Sequence, residues 1–207
     1  FGAMIALVAV VVATVILALA ACGGERAQPS TPTGVAAATR IDFADVANYA
    51  APPLPAYFDG TVAALDNSPA SNPVDDRVAT LGRVLFYDLR LSTNNRASCA
   101  GCHQQRFGFT DPMRFSNGIS TAGTTDFHAM RLGNLRYWQP GTMFWDRRVI
   151  SAEVQASHPL HSLVEMGWGG PAGGIDALIR KMEGTTYYPD LFAWAFGSAT
   201  ITEPRMQ

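Results

Sequence analysis

The chain has 207 residues, of which 48% are hydrophobic and 15% charged, and its formal net charge is −2. This length is sufficient for one domain with a buried core. The nearly balanced charge, without a basic excess or an acidic run, argues against nucleic-acid binding and against a charged solvating tail. Three cysteines, an odd number, argue against a fold held together by disulfides alone.

The first segment predicts export from the cytoplasm. Residues 3–21 are apolar apart from Thr14, a length that suits a membrane span or the core of a secretory signal. The run ends in LAACGG, which resembles the lipobox of bacterial lipoproteins, where the signal is cut before an acylated cysteine. We therefore expect residues 1–21 to be a lipoprotein signal peptide and Cys22 to be lipidated, with an uncleaved membrane anchor as the alternative. Both interpretations place the remainder in the bacterial periplasm or cell envelope, attached to the membrane.

The next residues predict a tether followed by a folded part. Residues 22–40 are rich in Gly, Pro, Ser, Thr and Ala, a composition typical of a flexible linker. Residues 41–207 predict a mainly α domain with long loops, because apolar residues recur at helical spacing and no convincing alternating strand is present. The predicted helices cover residues 60–65, 75–87, 99–104, 151–157, 175–182 and 189–196. Residues 106–123 are predicted to form a loop. His158 and His161, on either side of Pro159, are also predicted to lie in a loop.

The strongest motif is CAGCH at residues 99–103, the pattern of c-type haem attachment. Thiols three positions apart on a helical turn face the same side and reach both vinyl groups of one porphyrin. A structural zinc site would need a second cysteine pair, and a thioredoxin-like dithiol would follow a strand, whereas a plain disulfide remains possible outside the cytoplasm. The adjacent histidine favours haem c bound through Cys99 and Cys102, with His103 as the proximal iron ligand.

Further motifs surround the haem motif in a distinctive order. They are LGRVLFYDLRLS at 81–92, FGFTD at 107–111, FWDRR at 144–148 and EMG at 165–167. Together they resemble the N-terminal domain of bacterial di-haem cytochrome c peroxidases, a family that includes the haem enzyme maturing methylamine dehydrogenase. The resemblance implies a cytochrome c-like helical haem domain that reduces hydrogen peroxide with electrons from a small cytochrome c or cupredoxin. Because the family carries a second haem in a C-terminal domain, we expect this sequence to be a fragment of a longer protein.

The resemblance also implies roles for individual residues. Glu165 matches the family's distal acid, which would move a proton of peroxide, although an ordinary surface carboxylate is the alternative. Trp145 matches the tryptophan between the two haems and implies electron transfer, with a core aromatic as the alternative. His128 or Met130 could serve as a distal iron ligand, and a structural role for His128 is equally consistent with the sequence.

Several questions stay open at this stage. The expected asparagine ligand of the family's calcium ion is not evident, so we do not predict a calcium site. Arg147 and Arg148 could pair with haem propionates or with Asp146. A homodimer is compatible with the resemblance. A mono-haem electron-transfer protein without peroxidase activity is the alternative function, and it would keep two strong axial ligands in every redox state.

Overall fold

Short α-helices joined by long loops make up the fold in the computed structural model, which describes residues 38–119 and 123–207. The helices are α1 (Gly60–Ala63), α2 (Asp76–Tyr87), α3 (Cys99–Cys102), α4 (Ala152–His161), α5 (Gly174–Glu183), α6 (Tyr188–Phe196) and α7 (Glu203–Met206). Short 3-10 helices cover Leu89–Leu91, Gln105–Phe107, Leu135–Tyr137 and Gly170–Ala172. Within the described ranges there are isolated β-bridges but no strands. The predicted mainly α class with long loops is confirmed.

Helix α2 forms where its cap and its apolar spacing predict it. The carboxylate of Asp75 accepts hydrogen bonds from the backbone N–H groups of Arg77 and Val78, which satisfies the first turn. Leu81 and Leu85, four residues apart, are both buried on the face that packs against α6. Helices α2, α5 and α6 thereby form the apolar core that supports the loops carrying the functional residues.

Three helices end at least two residues away from the predicted position, and the first of them is α1, which ends at Ala63 and not at residue 65. Helix α4 continues to His161 and includes Pro159, so His158 and His161 lie on a helix and the predicted loop is wrong. Proline has no N–H to donate to the carbonyl of residue 155, so the last turn of α4 forms with one backbone hydrogen bond fewer. Helix α3 is shorter than predicted, because the backbone of His103 leaves the helical conformation at φ −104° and ψ 75°.

A tight turn that begins at Ser92 connects the core to the cysteine motif. The fully buried Ser92 hydroxyl donates to the carbonyl of Leu89 and accepts the backbone N–H groups of Arg96 and Ala97. From α5, the ammonium group of Lys181 donates to the Ser92 carbonyl at 2.7 Å. The start of α3 is thus fixed relative to both α2 and α5.

Trp168 fixes the loop that follows α4. Its indole Nε1–H donates to the carbonyl of Leu91 at 2.6 Å, and its backbone N–H donates to the carbonyl of Leu160 at 3.2 Å. The ammonium group of Lys181 lies 5.3 Å from the Trp168 ring centroid, within the range of a cation–π contact. The loop is consequently held between the end of α4 and the Ser92 turn.

The predictions for the N-terminal region fall largely on residues that the structure does not describe. Residues 1–21, Cys22 and the linker as far as residue 37 lie outside the described ranges. Among the helices of the described part, none combines the length and the apolar character that crossing a membrane requires. The signal peptide, the lipidation site and the linker therefore stay predictions.

Residues 143–149 form a closed loop with two strained positions. Met143 and Val149 pair in an antiparallel bridge, with an N–H to carbonyl distance of 2.7 Å. Between them, Phe144 (φ +66°) and Arg147 (φ +58°) adopt the left-handed conformation, which crowds the β-carbon of an L-residue. No hydrogen bond or ion pair of the Arg147 side chain is found within the described residues.

Replacing Arg147 with glycine should therefore stabilise the protein. We expect R147G to raise the free energy of unfolding by about 1 kcal/mol, because glycine removes the left-handed strain at little cost in contacts. The matched variant R148G should lower it, since Arg148 contacts Asp146 and the Phe144 ring. Urea denaturation followed by circular dichroism measures both values. An R147G protein that is less stable than the wild type would contradict the strain at this position.

Candidate functional site

The two cysteines of the motif share one face of the single-turn helix α3. Cys99 and Cys102 are three positions apart, and residues at that spacing lie one above the other on a helix. Both are free thiols and both are half-buried, so the pair is not a disulfide. The spacing thus places both side chains on the same side of the helix.

The surroundings keep both thiols protonated at neutral pH. Burial raises the pKa of Cys99 to about 11. Burial also raises the pKa of Cys102, helped by the negative charge of Asp111 and opposed by a hydrogen bond with Ser116. Redox-active dithiols act as thiolates and need a lowered pKa, which these surroundings do not provide. No cluster of three or more metal-ligating side chains occurs in the described part of the chain.

The ring of His103 is oriented by the loop that follows it. Its Nδ1–H donates to the carbonyl oxygen of Phe109 at 3.0 Å. That loop is closed by two backbone hydrogen bonds, from Gln104 to Thr110 at 3.0 Å and from Phe109 back to Gln104 at 2.9 Å. The Nε2 atom of His103 has no hydrogen-bond partner among the described residues, so it is available as a ligand. Two thiols on one face followed by an oriented imidazole fit the donor set of a c-type haem.

Glu165 lies in the loop after α4 and faces the cysteine motif. It is half-buried, and its backbone N–H donates to the Ser162 hydroxyl at 3.2 Å. Burial raises the pKa of its carboxyl group, while a hydrogen bond with Ser162 and the charge of His103 oppose this rise. Its own charge in turn raises the pKa of both cysteine thiols. The structure therefore brings together the predicted distal acid and the predicted haem ligands.

Arg148 contributes a second charge to the surroundings of Glu165. The positive charge of its guanidinium group lowers the pKa of the Glu165 carboxyl, but by less than the Ser162 hydrogen bond and the charge of His103 do. It forms an ion pair with Asp146 at 2.8 Å and lies 3.9 Å from the ring centroid of Phe144. Of the two partners considered for Arg148, the structure shows Asp146, in an exposed pair that contributes little to stability.

Trp145 and His128 are joined to each other. The indole Nε1–H of Trp145 donates to the carbonyl of His128 at 3.0 Å, and 60% of the tryptophan is exposed, so it is not a core aromatic. The ring nitrogens of His128 contact the Thr110 hydroxyl at 3.0 Å and the Met113 carbonyl at 2.9 Å. His128 is thereby tied to the loop that orients His103. Met130 is half-buried two residues further on, and a distal ligand at either position stays a prediction.

Two contributors to the site have no clear signal in the sequence. The carbonyl of Phe109 orients His103, but a backbone group carries no residue identity that a motif could reveal. His158 lies near Glu165 because α4 continues past Pro159, where the sequence favours a helix end.

Comparisons with known proteins identify the family to which the chain is similar. The family model described as "Di-haem cytochrome c peroxidase" matches residues 76–207. The methylamine utilization protein MauG of Methylorubrum extorquens is 32% identical over 182 residues, which cover 87% of this chain and 47% of that protein. The cytochrome c peroxidase Ccp of Escherichia coli is 28% identical over 139 residues, covering 65% of this chain and 28% of that protein.

A solved structure shares the fold. It is a MauG-like protein associated with microbial copper homeostasis, 30% identical, with a TM-score of 0.60 over 77% of this chain and 45% of that chain. Both comparisons show that the chain spans less than half the length of these relatives.

Replacement of the cysteines tests the attachment site. We expect the double variant C99A/C102A, exported to the periplasm, to lose the haem stain that the wild type retains after denaturing electrophoresis, because no thiol remains to hold the porphyrin. The matched variant C22S should keep the stain, since Cys22 lies outside the motif. A stained band from the double variant would show that haem is attached elsewhere, or that the stain does not report these thiols.

Proposed function

The chain belongs to the di-haem cytochrome c peroxidase family, and we propose that it reduces hydrogen peroxide to water with one covalently bound haem c. Cys99 and Cys102 would hold the haem, and His103 would ligate its iron through Nε2. When bound, the haem supplies the redox chemistry, and the protein supplies orientation and proton transfer. The observation that carries the proposal is Glu165, a half-buried carboxyl group on the same site as the cysteine motif.

The chemistry of peroxide reduction needs a group such as Glu165. One oxygen of hydrogen peroxide must lose a proton, and the other oxygen must gain one before it leaves as water. A carboxylate oxygen of Glu165 can accept the first proton and return it to the departing oxygen. Because burial raises its pKa, the carboxyl group binds this proton more readily than an exposed glutamate would. An electron carrier without a reaction has no use for a desolvated carboxyl at this place.

Electrons for the reaction would come from outside this domain. We propose a small cytochrome c or cupredoxin as the donor and Trp145 as a residue through which electrons pass. The support is that Trp145 presents an exposed indole whose N–H is fixed by the His128 carbonyl. His128 in turn contacts Thr110, in the loop that orients His103, so a short chain of contacts joins the indole to the cysteine motif.

The proposed location is the periplasmic side of a bacterial membrane. It rests on the sequence LAAC at residues 19–22, which resembles a lipobox, and on the composition of the linker that follows. A lipid on Cys22 would anchor the protein, and the linker would let the haem domain reach soluble electron donors.

Replacement of Glu165 tests the catalytic role. We expect E165Q to retain its haem spectrum and to reduce peroxide about 10²- to 10⁴-fold more slowly, because the amide cannot accept a proton. The matched variant E183Q changes an exposed glutamate on α5 and should keep wild-type activity. Stopped-flow mixing with peroxide measures both rates. An E165Q protein that reacts at the wild-type rate would remove Glu165 from the mechanism.

The pH dependence provides a separate test. Only the carboxylate form of Glu165 can accept a proton, so the rate should decline as the pH falls through the pKa of this group. Because burial raises that pKa, the decline should begin above the range of an ordinary glutamate, which is about 4.3. The rate of the wild type measured against pH shows this decline, and E165Q should lack it. If both proteins lose activity at the same pH, the decline comes from a group other than Glu165.

A further inference from the structure

The proposed reaction sets a requirement for protons that Glu165 alone does not meet. Reduction of each hydrogen peroxide to two waters consumes two electrons and two protons, and the protons come from bulk water. Glu165 can move a proton between the two peroxide oxygens, but this transfer returns it to the carboxylate form and supplies neither of the two protons that the reaction consumes. Because the carboxyl group is half-buried, its exchange with bulk water needs a route.

The four histidines of the chain differ in how many of their ring nitrogens form hydrogen bonds with the described residues. His103 is bound through Nδ1 to the Phe109 carbonyl, and His161 is paired through Nε2 with Glu203 at 2.8 Å. His128 has partners at both ring nitrogens. For His158, no hydrogen bond to either ring nitrogen is found among the described residues, and the side chain is exposed. Both of its nitrogens are thus free to exchange protons with water.

The backbone brings His158 and Glu165 onto one structural unit. His158 lies in the last turn of α4, and the following loop folds back on that turn. The backbone N–H of Trp168 donates to the Leu160 carbonyl at 3.2 Å, and that of Gly167 donates to the Ser162 carbonyl at 2.7 Å. Between these anchors, the N–H of Glu165 donates to the Ser162 hydroxyl at 3.2 Å. The loop therefore holds Glu165 beside the end of the helix that carries His158.

Aromatic packing fixes the imidazole of His158. Its ring meets the ring of Phe144 edge to face, with 5.3 Å between the centroids. The guanidinium group of Arg148 lies over the same phenylalanine at 3.9 Å. Phe144 and Arg148 belong to the closed loop of residues 143–149, so this loop orients His158 from the side opposite its own helix. A residue with free nitrogens is thereby held in a defined position.

Five charged or titratable side chains interact with Glu165 from the surrounding elements: Cys99, Cys102, His103, Arg148 and His158. Both cysteines would hold the haem, and the charges of the other three lower the pKa of the Glu165 carboxyl group. Arg148 is paired with Asp146, and a guanidinium group stays protonated at all physiological pH values, so it cannot pass protons on. His103 is the proposed iron ligand. His158 is the member of this set whose imidazole has ring nitrogens free both to donate and to accept a proton.

We propose that His158 is a proton relay that carries protons from bulk water to the carboxyl group of Glu165. The protonated imidazole gives its proton to a neighbouring water, which passes one of its own protons to a Glu165 carboxylate oxygen, so one N–H bond breaks and one O–H bond forms on the carboxyl group. The neutral imidazole then takes a proton from water, and no electron moves in either step. His158 acts through Glu165 and does not touch the substrate. The inference rests on the proposed function, since it supplies the protons of that reaction.

Kinetics of the haem-loaded variant H158Q provide the first test, with H161Q as the matched control on the same helix. We expect H158Q to lower kcat for peroxide on the order of tenfold at neutral pH, with KM nearly unchanged, because proton delivery to Glu165 becomes limiting. Raising the phosphate concentration should restore the rate, since phosphate is a small proton donor that can replace the imidazole. H161Q should keep the wild-type kcat and show no response to phosphate.

Infrared difference spectroscopy tests the contact between the two groups without turnover. A pH titration of the Glu165 carboxyl band, assigned by its loss in E165Q, should give a higher pKa in H158Q than in the wild type, because a positive charge is removed. An H158Q protein with the wild-type kcat, or with a lower kcat that phosphate does not restore and an unshifted carboxyl titration, would overturn the relay. A wild-type protein that does not reduce peroxide would overturn the proposed function, and the carboxyl titration would still decide whether His158 acts on Glu165.

Discussion

The hydrogen bond from His103 Nδ1 to the Phe109 carbonyl is the interaction on which the site depends. It determines which ring nitrogen is free, and so it gives the imidazole a direction as well as a position. The bond exists because the chain leaves the helical conformation at His103 and closes a short loop between Gln104 and Thr110. The same loop engages His128, and through it Trp145, so the proximal ligand and the exposed indole share one support.

The opposite side of the site depends on a second set of buried polar contacts. Lys181 of α5 binds the Ser92 carbonyl and lies against the Trp168 ring, while Trp168 binds the Leu91 carbonyl. These contacts hold the loop of Glu165 to the turn that leads into the cysteine motif. A half-buried carboxyl group is costly to ionise, and its raised pKa shows that cost. The core of α2, α5 and α6 supports this arrangement and also the loop between Gln104 and Thr110 that orients His103.

The sequence predicts those parts of the molecule that local signals determine. Helix α2 has both a capping aspartate and apolar residues at helical spacing. The spacing of Cys99 and Cys102 predicts that both side chains lie on one side of a helical turn. The sequence does not predict that α4 continues past Pro159. This extension depends on tertiary contacts of the last turn, such as the hydrogen bond from the Trp168 N–H to the Leu160 carbonyl. The exposure of Trp145 depends on tertiary packing in the same way. The resemblance to a family located Glu165, whereas its burial and its neighbours came only from the fold.

Electron paramagnetic resonance of the oxidised, haem-loaded protein can show whether the face of the haem opposite His103 would be a reaction site. We predict a high-spin ferric signal that changes when hydrogen peroxide is added, because peroxide reaches the iron beside Glu165. A low-spin signal that does not respond to peroxide would exclude a reaction site on this face. That result would instead identify the chain as an electron carrier with two permanent axial ligands.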